Sequence, residues 1–162
     1  MRAGHRQTLV KRFNANFQNA GDLILLARVL GAVCLARLAL LFMTPTAVVA
    51  RFDKARPSTR PLPIEKAVKF TDFATGYKRG ADGGCLFRSL ALFRLFRQAG
   101  LPVAINFGLS RQLTPARGLK GHGWVNLSGN PVMESGNPTE KYVTMYSYLA
   151  GSGMINDWPA TD

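Results

Sequence analysis

The stretch "GGCLFRSLALFRLFRQAG", residues 83 to 100, constrains the chain more than any other. It places a cysteine behind two glycines and in front of a long apolar run. Cys85, Ser89, Leu92 and Phe96 recur at helical spacing and line one stripe. Arg94, Arg97 and Gln98 fall mostly on the opposite side, and Gly100 stands where a helix commonly ends. The spacing predicts a helix opening at Cys85, with Asp82, Gly83 and Gly84 as its cap. A helix amino end carries unpaired N–H groups and a positive partial charge, both of which favour thiolate over thiol. The same N–H groups suit the oxyanion of a tetrahedral intermediate. The bland reading is a small apolar residue at a helix start.

Bulk properties remove several classes. In 162 residues, 47% are apolar and 10% aromatic, which excludes global disorder and allows a real core. Two cysteines, Cys34 and Cys85, are too few for a disulfide framework or a thiolate zinc site. Cys34 sits in the apolar run "GAVCLARLAL" and reads as a buried, inert thiol, which fits a cytosolic protein. The net charge of +12 is dispersed along the chain, with no dense basic run and no nucleic-acid-binding signature. Such a surface favours acidic peptides, anionic lipid or an acidic partner protein as much as nucleic acid. Residues 23 to 50 are the most apolar stretch, but Arg28 and Arg37 interrupt it. Its longest uncharged piece, Leu38 to Ala50, is 13 residues, short of the roughly 20 that span a bilayer. A helix pair seated on the domain, or lying against a membrane face, fits better.

Residues 1 to 21, with His5, read as a basic flexible arm, and residues 22 to 57 as an N-terminal helical segment. Asp22 is the expected N-cap of a helix to about Met43, and Thr44-Pro45 restarts the helix. Three prolines in "RPSTRPLP", residues 56 to 63, mark a linker, and a helix follows from Ile64 to about Tyr77. After the cysteine helix come strand signals at 102–109, 122–127, 131–134 and 141–149, with a turn at Ser128, Gly129 and Asn130. Helices followed by antiparallel strands give an α+β class, with the main domain over 64–150 and a tail at 151–162.

A nucleophile needs a base. His122 opens the strand "HGWVNL", where alternation puts His122, Trp124 and Asn126 on one face. Glu134 follows His122 by 12 residues. A three-residue hairpin loop puts Glu134 on the histidine's face, diagonal to it; a two-residue loop turns it away. Cys85, His122 and Glu134 would then serve as nucleophile, base and orienter.

"CLFRSLALFRLFRQAG" followed by "GHGWV" resembles the lasso-peptide B proteins, transglutaminase-like cysteine proteases that remove the leader from lasso-peptide precursors. That family's helix begins Cys-Leu-x-Arg-Ser-Leu-Ala-Leu, matched by Cys85, Leu86, Arg88, Ser89, Leu90, Ala91 and Leu92. Its strand carries His-Ala-Trp-Val, matched by His122, Trp124 and Val125, with Gly123 in place of alanine. The likeness covers roughly residues 22 to 150 and implies a papain/transglutaminase-like core, a nucleophile helix on an antiparallel sheet. It implies Cys85 as nucleophile and His122 as base, then acid. Glu134 stands where the family commonly has aspartate, and Asn126 is the alternative orienter. Arg88 matches a family position, as substrate contact or structural pair; Trp124 shields the histidine, lines the oxyanion site or fills the core. No cofactor or metal is implied. The family occurs in fused and split forms, and residues 1 to 57 leave no room for a strand-bearing recognition domain. The implied partners are therefore a precursor leader peptide, a separate leader-recognition protein and a lasso cyclase in the bacterial cytoplasm, with membrane contact through residues 22–50 open. Two rivals stand beside this reading. One is an amide-forming or acetyl-transferring enzyme of the same superfamily; the other is a non-catalytic basic scaffold binding peptide, lipid or nucleic acid.

Overall fold

The computed structural model describes residues 20–77, 84–112 and 120–155. The arm with His5, the tail beyond residue 155 and the two intervening segments, which include Asp82 and Gly83, lie outside the described residues. The helices are α1 (Ala20–Ala39), α2 (Pro45–Asp53), α3 (Ile64–Thr75), α4 (Cys85–Gln98) and the short α5 (Pro138–Lys141). The strands are β1 (Val103–Ser110), β2 (Gly121–Leu127), β3 (Asn130–Pro131), β4 (Tyr142–Leu149) and β5 (Gly153–Ile155). They form one antiparallel sheet in the order β3-β2-β1-β4-β5. The α+β expectation holds. The segment read as a tail contributes β5, which pairs with β4.

The centre of the fold is α4. Leu90, Leu92, Phe93, Leu95 and Phe96 are all fully buried, each worth about 1.5–3 kcal/mol of transfer free energy. The single stripe read from the sequence is too narrow, because α4 is covered on two sides. Leu90, Leu92, Phe93 and Phe96 join Val103 and Ile105 of β1, Val125 of β2 and Val48, Val49 and Phe52 of α2 in one cluster. Ala91 and Leu95 join Leu25, Val29, Ala32 and Val33 of α1 and Ala67 and Phe70 of α3 in a second. The N-terminal helices are thus one wall of the same core. Even the outward arginines are tied down. Arg94 lies over the Phe52 ring at 5.1 Å, and Arg97 Nε donates to Asp53 Oδ1 at 2.7 Å.

Local chemistry sets the helix ends. Thr44 caps α2, accepting from the Ala47 N–H at 3.4 Å, with Pro45 at the first helical position. Gly100, at φ 72°, closes α4; the Leu101 N–H reaches the Phe96 carbonyl and the Gly100 N–H that of Arg97, both at 3.0 Å. Two expectations on α1 fail. Asp22 does not cap it, because the helix already starts at Ala20; the buried carboxylate takes Lys66 Nζ of α3 at 2.9 Å instead. Cys34 is exposed rather than buried. The run around it is apolar on every side of the helix, and Val29, Ala32, Val33 and Ala36 supply the face that is covered.

On the sheet face away from α4, Trp124 is 1% exposed. Its ring lies over Gly108, where a Cβ would come within 2.6 Å of the Val143 carbonyl oxygen and 3.0 Å of Trp124 Cζ3. The β1–β4 register shifts at this point, between Phe107 and Gly108. Gly108→Ala is expected to lower unfolding free energy by about 1–3 kcal/mol through overpacking, read by denaturant titration. An unchanged midpoint would contradict this placement of the indole.

Candidate active site

Gly84 precedes α4 with φ 75°, a left-handed conformation natural to glycine, and a Cβ there would meet the Thr75 carbonyl at 3.0 Å. The N-cap residue, Gly84, has no side chain to cap the helix; Asp82 and Gly83, expected to share the cap, lie outside the described residues. Cys85, half-buried, occupies the first helical position, and the N–H groups of Leu86 and Gly123 both point to its sulfur. The Gly123 donor comes from the side of β2 that β3 leaves open, since β3 pairs only with Asn126 and Leu127.

His122 lies on β2 opposite Gly108. Its ring hydrogen-bonds the Cys85 sulfur, while its Nε2 stands 3.4 Å from Glu134 Oε2. The carboxylate holds Nε2, which leaves Nδ1 to serve the sulfur. Two aromatic rings fix the imidazole plane: Tyr142 stacks at 4.8 Å and 25°, Trp124 at 5.9 Å and 15°. Trp124 is therefore a core residue that also shields the histidine. The structure brings Cys85, His122 and Glu134 together.

Glu134 arrives by a route the sequence did not suggest. The hairpin loop has two residues, Ser128 and Gly129, both at positive φ, and the register is Leu127 with Asn130 and Asn126 with Pro131. A regular strand in that register would turn Glu134 away from the histidine. The strand stops instead at Pro131, and Val132 keeps one ladder bond to the Val125 carbonyl. Met133 then takes φ 50° and redirects the chain. Glu134 thus follows an irregular bend rather than sitting on a strand, and reaches Nε2 from there. Asn126, the alternative orienter, makes no hydrogen bond to His122; its Oδ1 is buried without a partner.

Arg88 settles what the sequence left open, because it is fully buried and so is a structural pair. Its Nε donates to Asp72 Oδ1 at 2.6 Å, one terminal nitrogen to Glu134 Oε1 at 2.8 Å and the other to the Val132 carbonyl at 3.2 Å. Its guanidinium also lies 4.5 Å above the Tyr77 ring. The Tyr77 hydroxyl donates to Glu134 Oε2 at 3.1 Å. Asp72, Tyr77 and Tyr142 were not read as site residues. Gly76, at φ 68°, was the available hint for Tyr77, since it ends α3 and turns the chain inward. Nothing in the pattern marks Asp72.

The electrostatics follow. Burial pushes the Cys85 thiol up, but hydrogen bonds from His122 and the Gly123 and Leu86 N–H groups, with the imidazolium charge, bring it below its ordinary value. Burial pulls His122 down, yet bonding to Cys85 and Glu134 outweighs it, and the imidazole is pushed up to about 9. Burial likewise raises Glu134, and His122, Arg88 and Tyr77 reverse it to a net lowering. Burial and the Glu134 charge raise the Tyr77 phenol, so it stays a donor. The pair therefore stands as thiolate and imidazolium above the sulfur's lowered value and below about pH 9. This arrangement suits nucleophilic attack on a carbonyl with proton delivery to the leaving group. Among the described residues, no cluster of His, Cys, Asp or Glu is placed to hold a metal ion.

Gly123, where the resemblance has alanine, has its own reason. A Cβ would fall 2.8 Å from Ser89 Oγ and 3.1 Å from the Phe107 ring. Gly123→Ala is expected to displace the N–H from the sulfur and slow Cys85 alkylation, with Ser89→Ala restoring most of it. No recovery would contradict the steric account.

Three further changes test the charge chain, each in Cys34→Ser so that alkylation reads Cys85 alone. Glu134→Gln removes part of what raises the imidazole, leaving the bond to Cys85, so less imidazolium faces the sulfur, and alkylation near pH 7 should slow on the order of tenfold. Arg88→Met takes the guanidinium from the buried Glu134 carboxylate and should cost about 3–5 kcal/mol of stability. Arg88→Lys, which keeps the charge but loses the fork, should fold and still react slowly. Wild-type alkylation rates in both Glu134→Gln and Arg88→Lys would contradict the linkage.

Comparison with known proteins agrees with this geometry. A family model described as the transglutaminase-like superfamily matches residues 26–147, which takes in most of α1 and the whole constellation. Neither the search of curated proteins nor that of solved structures finds a match. With the model spanning most of the sequence, the chain belongs to the transglutaminase-like superfamily.

Proposed function

We propose that this protein is a cysteine peptidase that removes the leader from a lasso-peptide precursor, working beside a separate leader-recognition protein and a cyclase. One observation carries the reading: a cysteine at a helix amino end is hydrogen-bonded to a histidine that a buried carboxylate holds on its other nitrogen. The narrower assignment is supported by the Cys-Leu-x-Arg-Ser-Leu-Ala-Leu run at 85–92 and the His-x-Trp-Val run at 122–125.

The thiolate of Cys85 attacks the carbonyl joining leader to core, forming a C–S bond. N–H groups at the amino end of α4 receive the oxyanion. The imidazolium of His122 gives its proton to the departing amine as the C–N bond breaks. Neutral His122 next takes a proton from water, whose oxygen attacks the thioester. The products are the leader carboxylate and the core with a free amine, and the sulfur leaves as thiolate beside the restored imidazolium. Glu134 stabilises the imidazolium and holds the ring. Arg88 holds Glu134.

Purified chain, precursor and leader-recognition protein, analysed by mass spectrometry, should yield leader with a free carboxylate. The yield should fall steeply without the recognition protein and vanish in Cys85→Ala. A product carrying an added amine, formed in preference to the acid, would instead mark the chain as an amide-forming enzyme. Undiminished processing in Cys85→Ala would overturn the cysteine mechanism.

A further inference from the structure

Among the described residues, nothing covers the outer side of α1. The helix is apolar around its circumference, so covering one side with α3 and α4 leaves the other facing water. Leu23 is 61% exposed, Leu30 44%, Leu35 45% and Leu38 57%, and the turn beyond continues with Leu41 at 70% and Phe42 at 86%. At 3.6 residues per turn these positions fill an arc of roughly 140°. Arg37 stands at one border of the arc and Arg28 at the other. No acidic residue interrupts it, since Asp22 is turned inward onto Lys66. A continuous apolar face of this length exceeds the scattered single side chains of an ordinary surface.

The charge and chemistry of the face select its occupant. A second copy would bring one body of net charge +12 against another. A protein partner is usually met with tyrosine, tryptophan and methionine and with hydrogen-bonding groups; here the arc is aliphatic with a single Phe at its end. An anionic bilayer surface matches on each count. Its acyl boundary takes a leucine-rich face lying flat, and its potential attracts a strongly basic chain. Among the described residues no helix is long and apolar enough to cross a membrane. We infer that α1 is a peripheral membrane anchor: the arc from Leu23 to Phe42 seats in the headgroup boundary of an anionic bilayer.

Cys34 lies exposed within the arc and offers a direct probe. In Cys85→Ser, Cys34 alone is labelled with an environment-sensitive fluorophore. The full-length chain is mixed with vesicles of phosphatidylcholine, or of phosphatidylcholine with phosphatidylglycerol. With the anionic vesicles, emission should shift to the blue and the protein should co-sediment; neutral vesicles or high salt should abolish most of both. Leu30→Glu with Leu38→Glu should weaken partitioning at least about tenfold, while circular dichroism and, with Cys85 restored, its alkylation stay unchanged. No binding to anionic vesicles would overturn the inference and leave the face to a protein partner. A blue shift that follows protein concentration without vesicles would overturn it in favour of self-association. Equal binding by the double variant would overturn it as well.

Discussion

A single buried guanidinium organises the site. Arg88 sits in the second turn of α4, and its three nitrogens reach α3 through Asp72, the bend after β3 through the Val132 carbonyl, and the carboxylate of Glu134. The Tyr77 ring lies beneath it. Only a planar fork that keeps its charge in the interior serves several acceptors in several directions at once. From Arg88 the charges alternate: guanidinium, Glu134 carboxylate, His122 imidazolium, Cys85 thiolate. Each member favours the ionised form of the next, and burial, which alone would neutralise Glu134, His122 and Cys85, is overcome by their contacts. The ionisation of Cys85 is thus linked, through His122 and Glu134, to a guanidinium that is fully buried.

The scaffold explains why so small a chain can hold this network. With α4 covered by α1 and α3 on one side and by α2 and the sheet on the other, its first turn has little freedom. β2 brings His122 and Gly123 to that turn, on the edge that the short β3 leaves uncovered. Close approach is bought with glycine at Gly84, Gly108 and Gly123, where a side chain would meet backbone, indole or the Ser89 hydroxyl.

Much of this was legible in the sequence, and what was hidden has identifiable causes. The start and end of α4, the Thr44-Pro45 restart and the strands at β1, β2 and β4 follow from periodicity and from end-signal residues. The face of Cys34 was misread because α1 has no polar side to orient it. The hairpin was misread because "SGNP" admits a two- or a three-residue loop, and because a non-glycine residue, Met133, takes the positive φ that rescues Glu134. Asp72 and Tyr77 were invisible for another reason. Their roles come from long-range contacts to Arg88 and Glu134, which no local spacing encodes.

The alternating charges make one spectroscopic demand. The chain has two histidines, His5 and His122, so imidazole resonances can be assigned with a single His5→Gln variant. Titration of the His122 ring by nuclear magnetic resonance should show it protonated through neutral pH, with a midpoint near 9. A His122 midpoint at the ordinary value near 6.5 would show a neutral ring beside the sulfur, and the thiolate–imidazolium account would be wrong.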